Sequence, residues 1–202
     1  IDDGRVTSAQ VALARDGKVA VWKTLGDAQP ESRYIIFSAT KPVVAGAIWL
    51  LIGDGLLDVS ARVAELIPEF ASNGKDVITV EQVMLHTSGF PYAPLGMPHM
   101  ATREGRVEKM AQWRLNWEPG TRYEYHPTSA HWVLAEVIER VTGADFRDFV
   151  RTRVIEPLGL TGFQLGGPAD DVNELVATGA PASPDELEAV LGIRELPITE
   201  VT

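Results

Sequence analysis

The chain has 202 residues, of which 45% are hydrophobic and 23% are charged, and its formal net charge is -10. This composition predicts a globular chain near the upper size of one domain, and the negative charge argues against nucleic acid and anionic membrane surfaces as partners. The absence of cysteine excludes disulfides, thiolate metal ligands and cysteine nucleophiles. The charge-free run between Lys41 and Asp54 is shorter than the roughly 20 apolar residues that span a bilayer, so membrane insertion is not expected.

The chain opens with a predicted β-hairpin. Apolar and polar residues alternate on both sides of Asp16-Gly17 in QVALARDGKVAVWKTLG. Asp-Gly is a preferred dipeptide for a tight hairpin turn, because both positions accept positive backbone angles. Two antiparallel strands alone are marginally stable, so we expect other residues to complete the sheet.

Helices dominate the rest of the sequence. After Pro42 an apolar helix runs until Gly53 and Gly55 end it, and Thr79 and Gln82 have the spacing of a capping box. The stretch HTSGFPYAPLGMP reads as loop. Caps and apolar spacing predict further helices at about Thr102–Trp117, at about Ser129–Thr142, between Asp145 and Pro157, and, shorter, near Pro184 in the tail after Gly166. Strands followed by helices indicate an α/β or α+β chain.

Ser38 and Lys41 stand at the start of the first apolar helix, in YIIFSATKPVVAG. Helical residues three apart are neighbours, so Lys41 is able to reach the Ser38 hydroxyl and activate it as a nucleophile. The alternative is that Ser38 caps the helix while Lys41 extends to water. Pro42 disfavours helical geometry before it, so the pair aligns only if the helix begins very near Ser38. A serine there has N–H donors and the positive helix end beside it, which suits an oxyanion.

The same Ser-x-x-Lys spelling occurs a second time, at Ser72 to Lys75. Here Asn73-Gly74 is a turn dipeptide, and we expect a turn not to align the two side chains as a helix does. This copy is predicted to be a loop without a catalytic role.

Five segments of the sequence resemble those of a known family. They are FSATKPVVAGAIWLLIGDGLLDV, ITVEQVMLHTSGFP, WEPGTRYEYH, AEVIERVTG and VIEPLGLTGF. In order and spacing they resemble the serine β-lactamase-like family of class C β-lactamases, DD-peptidases and related esterases, over nearly the whole chain. The resemblance implies an α/β, β-lactamase-like (DD-peptidase) fold, with an antiparallel sheet flanked by helices and a helical subdomain. Residues 1–40 would hold the hairpin and the approach to the nucleophile, 41–165 the mostly helical region, and 166–202 the start of a return to the sheet.

The resemblance also implies roles for three residues. Ser38 matches the acylated nucleophile, Lys41 its partner in proton transfer, and Tyr125 the tyrosine of the second motif. Tyr123 is the nearby competitor for that last role, and packing of both tyrosines with satisfied hydroxyls is the alternative. No metal or organic cofactor is implied. The expected substrate is a small carboxylic ester, with β-lactam or D-alanyl-D-alanine hydrolysis, or a catalytically silent ligand-binding relative, as alternatives.

The sequence departs from the family pattern in two places. Where β-lactamases and DD-peptidases have Tyr-x-Asn, this chain has Tyr125-His126-Pro127, and proline offers no amide group to a substrate, which favours esters. The third motif, Lys-Thr-Gly or a His-x-Gly or Trp-x-Gly substitute, does not follow Tyr125. We therefore expect a second polypeptide or a further segment to complete the fold and to supply a second oxyanion donor.

The remaining candidates have weaker patterns. His86 and Ser88 lie two apart and no Gly-x-Ser-x-Gly elbow surrounds the serine, so HTSG is expected to be a structural loop. The other histidines lack the spacing of a His-Glu-x-x-His metal site. The tryptophans Trp113, Trp117 and Trp132 are expected in the core, with Trp117 or Trp132 as candidates for lining an acyl pocket.

Overall fold

The computed structural model describes residues 6–96, 98–166, 183–185 and 188. The chain divides into two compact units, of which one contains the hairpin and the other is Phe37–Leu165. The predicted tail helix near Pro184 and the return of residues 166–202 to the sheet lie largely outside the described residues. No helix in the described part of the chain is both long enough and apolar enough to cross a membrane.

The opening hairpin is confirmed. Strands β1 (Ser8–Arg15) and β2 (Lys18–Gly26) pair antiparallel, and the turn residues Asp16 and Gly17 have φ values of 52° and 73°. Positive φ at both positions is the requirement of a type I′ turn, which Asp-Gly satisfies at low cost. Within the described residues the sheet has these two strands. Large apolar side chains stay exposed on it, at Val11, Leu13, Val19, Trp22 and Leu25.

The second unit is helical. Its α-helices are α1 (Lys41–Gly53), α2 (Val63–Leu66), α3 (Val80–Met84), α4 (Arg103–Gln112), α5 (Ser129–Thr142) and α6 (Phe146–Val150). Short 3-10 turns occupy Phe37–Thr40, Pro68–Ala71, Lys75–Val77, His99–Ala101 and Glu156–Leu158, and a π-helical turn, Arg151–Ile155, continues α6. Several predicted signals are confirmed: Thr79 and Gln82 form a capping box, Asp145 caps α6, and Gly143 ends α5 with φ 71°.

The core lies between α1 and α5, which pack against each other. The buried residues of α1 are Val44, Ala47, Ile48 and Leu51, which recur three and four positions apart and so form one face of a helix that is apolar nearly all round. α5 contributes Val133, Leu134, Val137 and Ile138 to the same cluster. This packing positions α1, whose first turn contains Lys41, against the core.

Helix α4 ends five residues earlier than predicted, at Gln112 and not near Trp117. Trp113 has extended backbone angles, φ -60° and ψ 148°. Its indole N–H donates to the Pro94 carbonyl at 2.8 Å, and its own carbonyl accepts a hydrogen bond from Lys75 at 2.7 Å. These tertiary partners replace the helical hydrogen bonds, and propensity alone does not reveal them.

The expectation that the turn at Ser72–Lys75 would not align the two side chains is wrong. The segment is a loop, and Asn73 and Gly74 both have left-handed φ, 58° and 79°. Two such residues reverse the chain, and Lys75 Nζ then lies 3.1 Å from Ser72 Oγ. Lys75 is fully buried, and burial, with a contribution from Arg114, lowers the pKa of Lys75 to about 8.

Candidate active site

Ser38 and Lys41 meet at the start of α1. The 3-10 turn Phe37–Thr40 runs directly into the helix, so the chain is helical from just before Ser38 in spite of Pro42. Residues three apart nearly eclipse in a 3-10 turn. Lys41 Nζ accordingly donates a hydrogen bond to Ser38 Oγ at 3.0 Å. The N-cap of α1 is Thr40 and not Ser38, so the capping alternative is not what the structure contains.

Phe37, directly before Ser38, has an unusual backbone. Its φ is 44°, in the left-handed region that bulky residues rarely adopt. Its ring is 69% exposed, so burial of the side chain does not explain the conformation. Strained residues of this kind concentrate at functional sites, where the surrounding structure enforces them. Ser38, which follows, is itself exposed to solvent and so accessible to a substrate.

Tyr125 completes the cluster from a distant part of the chain. Its hydroxyl lies 2.8 Å from Ser38 Oγ, and Lys41 Nζ lies 5.1 Å from the centre of its ring. Partial burial raises the pKa of Tyr125, but hydrogen bonds with Lys41 and Ser38 and the charge of Lys41 outweigh it, so that the pKa falls below its usual value. Tyr123 is 67% exposed and meets the edge of the His86 ring, with 6.5 Å between centroids. Of the two candidate tyrosines, the structure thus brings Tyr125 to Ser38.

The segment that carries Tyr125 is fastened to the HTSG loop. Glu124 N–H donates to the His86 carbonyl at 3.2 Å, and His126 N–H donates to His86 Nδ1 at 3.0 Å. Ser129 Oγ also donates to the Phe90 carbonyl at 3.0 Å, and in the other direction Phe90 N–H donates to His126 Nε2 at 3.2 Å. The loop is therefore structural, as expected, and its partner is the tyrosine segment.

The remaining candidate residues of the sequence lie outside the Ser38 cluster, in the following positions. Ser88 is buried, and its hydroxyl lies 3.1 Å from His126 Nε2, not at His86. His131 stacks on His86, with 6.0 Å between ring centroids. Burial above all, then the charges of Lys41 and His86, lower the pKa of His131 to about 4. Trp113 is buried in the core, while Trp132 packs against Phe146. Among the described residues no group of three or more histidine and acidic side chains is arranged to hold a metal ion.

Sequence reasoning did not assign the supporting role of His126. The residue was visible beside Tyr125, but no pattern in the sequence shows which partner a ring nitrogen contacts. Only the return of the chain 36 to 40 residues later brings His126 to Ser88, Phe90 and His86. The feature of the sequence that could have drawn attention to His126 is its position, as a large polar residue, directly after the motif tyrosine.

The fold and the cluster together define the class of protein. The serine β-lactamase-like fold has a serine and a lysine one turn apart at the start of a core helix, with a tyrosine from later in the chain beside them. The chain belongs to the family described as Beta-lactamase, whose model matches residues 1–195.

Similar proteins carry esterase, β-lactamase and penicillin-binding names. The chain is 33% identical over 186 residues to "Esterase/beta-lactamase LipL" of Mycobacterium tuberculosis, covering 86% of this chain and 42% of LipL. A family VIII carboxylesterase structure matches with TM-score 0.77 and 28% identity, over 87% of this chain and 51% of its own. A penicillin-binding protein homologue from Caulobacter crescentus matches with TM-score 0.76 and 28% identity, over 91% and 54%. The chain thus spans about half the length of these relatives.

Proposed function

We propose that the natural protein carrying this chain is a serine hydrolase that cleaves carboxylic esters through an acyl-enzyme. The observation that carries the proposal is the position of Ser38 Oγ, 3.0 Å from Lys41 Nζ and 2.8 Å from the Tyr125 hydroxyl. A serine hydroxyl is a poor nucleophile until a neighbouring base takes its proton, and here two groups that exchange protons adjoin it. No metal or organic cofactor takes part in this proposal.

The reaction proceeds in two steps. Ser38 Oγ attacks the ester carbonyl while its proton passes to the Lys41–Tyr125 pair. The bond from the carbonyl carbon to the alcohol oxygen then breaks, and the pair returns the proton to that oxygen. Water attacks the acyl-enzyme, gives one proton to the pair, and Ser38 regains a proton as the acid leaves. Both Lys41 and Tyr125 adjoin Ser38 Oγ, so the proposal names the pair, and neither residue alone, as the base.

Two observations support an ester as the substrate. Pro127 stands where β-lactamases and DD-peptidases have asparagine, and it lacks both an amide side chain and a backbone N–H. A group that would hold the amide of a peptide-like substrate is therefore missing. LipL and the family VIII carboxylesterase carry esterase names as well. Hydrolysis of β-lactams or D-alanyl peptides is the second candidate, which the β-lactamase part of the LipL name favours.

The proposal includes a segment or second polypeptide that completes the sheet. A two-stranded hairpin is marginal in water, and Leu13, Val19 and Trp22 are each more than half exposed on it. The completing part would cover these side chains and add a second oxyanion donor to the N–H of Ser38. Intact-mass analysis of active material tests this: an active species of only 22.0 kDa, the mass of this chain, would contradict it.

Labelling with a fluorophosphonate, followed by peptide mapping, tests the nucleophile in the natural protein. We expect Ser38 to be labelled, no label in Ser38→Ala, and a weak label in Lys41→Ala. Ser72→Ala is the matched control, because Ser72 has the same Ser-x-x-Lys spelling, and it should keep the label. An unlabelled Ser38 in folded protein would favour the catalytically silent, ligand-binding alternative.

Substrate class is tested by comparing kcat/KM on p-nitrophenyl esters with kcat/KM on a chromogenic cephalosporin. The ester proposal expects the esters to be the better substrates. A higher kcat/KM on the cephalosporin would reverse the assignment and make the protein a β-lactamase.

A further inference from the structure

We propose that His126 is a positioning residue that holds Tyr125 against Ser38 by acting as a neutral hydrogen-bond acceptor in the loop beneath it. The inference rests on the proposed function and deepens it. His126 stands directly after the tyrosine and is completely buried. Its side-chain partners are Ser88, Phe90 and Glu124, so it supports Tyr125 without reaching the reacting serine.

Tyr125 needs such support because its own side chain is weakly held. The residue is 41% exposed, and its ring meets the His86 ring at 5.1 Å between centroids. An exposed side chain loses little free energy when it moves away, so packing alone does not hold the hydroxyl 2.8 Å from Ser38 Oγ. The backbone on either side of Tyr125 has to supply the restraint.

The partners of the His126 ring define its protonation. Nδ1 lies 2.6 Å from the Glu124 carbonyl, which only accepts, so Nδ1 carries the hydrogen. Nε2 receives the Phe90 N–H at 3.2 Å, and a backbone N–H only donates, so Nε2 has no hydrogen. The Ser88 hydroxyl, 3.1 Å from Nε2, is able to donate to the same lone pair. These contacts assign the neutral ring with Nδ1–H.

A second histidine secures the other side of the same residue. The backbone N–H of His126 donates to His86 Nδ1 at 3.0 Å, so His86 is also an acceptor. Glu124 N–H donates to the His86 carbonyl at 3.2 Å. The residues before and after Tyr125 are therefore both bound to one loop, and His126 uses its ring and its backbone together.

Protonation of His126 would break this arrangement. An added Nε2–H would point at the Phe90 N–H, and neither group accepts. The titratable groups around the ring are His86, with 5.6 Å between centroids, and Glu124, which forms an ion pair with Arg122 at 2.7 Å. The rings of Phe90 and Trp117 cover the remaining sides at 5.1 and 6.1 Å. Burial lowers the pKa of His126, against the opposing effect of Glu124, which favours the neutral ring.

Two variants of the natural protein test the proposal, with His99→Gln as the matched control for losing a histidine. In His126→Leu the acceptor is lost, and we expect kcat on a p-nitrophenyl ester to fall about 10- to 100-fold with KM nearly unchanged, because misplacement of about 1 Å has effects of this size. In His126→Gln the side-chain oxygen accepts from Phe90 without titrating. We expect it to keep kcat within about fivefold of wild type. Because burial places the pKa of His126 below the ordinary histidine value of about 6.5, we also expect this variant to lose less activity than wild type as the pH falls on the acid side of that value.

Nitrogen NMR of protein with isotope-labelled histidines measures the tautomer of the His126 ring. This measurement does not depend on whether the protein hydrolyses esters. A protonated Nδ1 and bare Nε2 on His126 support the proposal. The opposite tautomer overturns it, even if His126→Leu fails to fold. A kcat equal to that of wild type in folded His126→Leu would also overturn it. So would a loss of activity at acid pH in His126→Gln that equals the loss in wild type. Absence of ester hydrolysis in wild type, with the expected tautomer present, would instead contradict the proposed function.

Discussion

At the scale of single residues, the two Ser-x-x-Lys copies differ in the groups that surround the serine and the lysine. Both lysines reach their serine, at 3.0 Å for Lys41 and 3.1 Å for Lys75. Lys75, however, is buried and also donates to the carbonyls of Ser72 and Trp113, each at 2.7 Å. Its three N–H donors are all occupied, and the Ser72 hydroxyl donates to the Ala111 carbonyl. Ser38 has instead the Tyr125 hydroxyl at 2.8 Å from its Oγ, and its lysine, Lys41, is only half-buried.

The role of the tyrosine gives the first prediction. Tyr125→Phe removes the hydroxyl that lies 2.8 Å from Ser38 Oγ, so we expect kcat on a p-nitrophenyl ester to fall by about 10²- to 10⁴-fold, the usual contribution of general acid–base catalysis. Tyr123→Phe is the matched control, two residues earlier, and should change kcat by less than about twofold, because its hydroxyl is not at Ser38. Equal losses in both variants would contradict the assignment.

The pH dependence gives the second prediction. Lys41 and Ser38 lower the pKa of Tyr125 below its usual 10.0 against the effect of burial, so ionisation of the tyrosine occurs at lower pH than in free tyrosine. We expect kcat to rise with pH and to level off before pH 10.0. In Lys41→Ala the lysine contributions vanish and burial still raises the pKa, so the rise should move to higher pH. Identical pH profiles of kcat in wild type and in Lys41→Ala would show that Lys41 does not lower the pKa of Tyr125.

At the scale of elements, the loop at Ser72–Lys75 explains the early end of α4. Lys75 donates to the Trp113 carbonyl, and Asn73 Nδ2 donates to the same carbonyl at 3.0 Å. The carbonyls at a helix end lack helical partners, and these two side chains supply them. The second Ser-x-x-Lys is thus a side-chain cap for another helix.

Replacing this lysine gives the third prediction. Lys75→Met removes the hydrogen bonds that the buried Nζ donates to Ser72 and to the Trp113 carbonyl, and Asn73 then remains the side-chain donor to that carbonyl. Because hydrogen bonds of a charged group contribute about 1.5 to 3 kcal/mol, we expect the free energy of unfolding to fall by about 2 to 3 kcal/mol, measured by urea denaturation near neutral pH. Lys18→Met, at an exposed lysine, is the control and should change it by less than about 0.5 kcal/mol.

The pH dependence of this difference has a definite sign. Folded Lys75 releases its proton near pH 8, whereas the unfolded chain keeps it until about 10.5. Between these values the unfolded state binds more protons, so raising the pH favours the folded wild type. The stability advantage of wild type over Lys75→Met should therefore grow across this window. A constant difference would show that the pKa of Lys75 is the same in both states.

At the scale of the whole molecule, the two units differ in how they bury apolar surface. The helical unit has a continuous core in which Ile48, Leu51 and Ile138 are fully buried. The hairpin keeps Leu13, Val19 and Trp22 largely exposed. A two-stranded hairpin that leaves such large apolar side chains in water is marginally stable alone, which agrees with the proposed completing segment.

Hydrogen exchange gives the fourth prediction, which concerns the hairpin. We expect the amides of β1 and β2 to exchange at least about 100-fold more slowly in the natural protein than in the isolated 202-residue chain, because added strands would stabilise the sheet. The amides of α5 serve as the internal control, since α5 lies in the helical core. Equal protection of the hairpin in both samples would argue against a completing part.

The sequence by itself determined the elements whose signals are local. Asp16-Gly17 fixed the hairpin turn, Thr79 and Gln82 the start of α3, and Gly143 the end of α5, because each depends on the backbone preferences of a few adjacent residues. Family resemblance added the fold, and it selected Ser38, Lys41 and Tyr125 as candidates.

The tertiary structure decided what depends on residues far apart in the chain. The early end of α4 follows from bonds across about 40 positions, and the alignment of Ser72 with Lys75 from a chain reversal that a helical rule does not describe. The contact of Tyr125, which the resemblance selected, with Ser38 spans 87 positions. The neutral, accepting ring of His126 depends on donors that folding alone brings to it, so a histidine that looked like a departure from a motif became the support of its tyrosine.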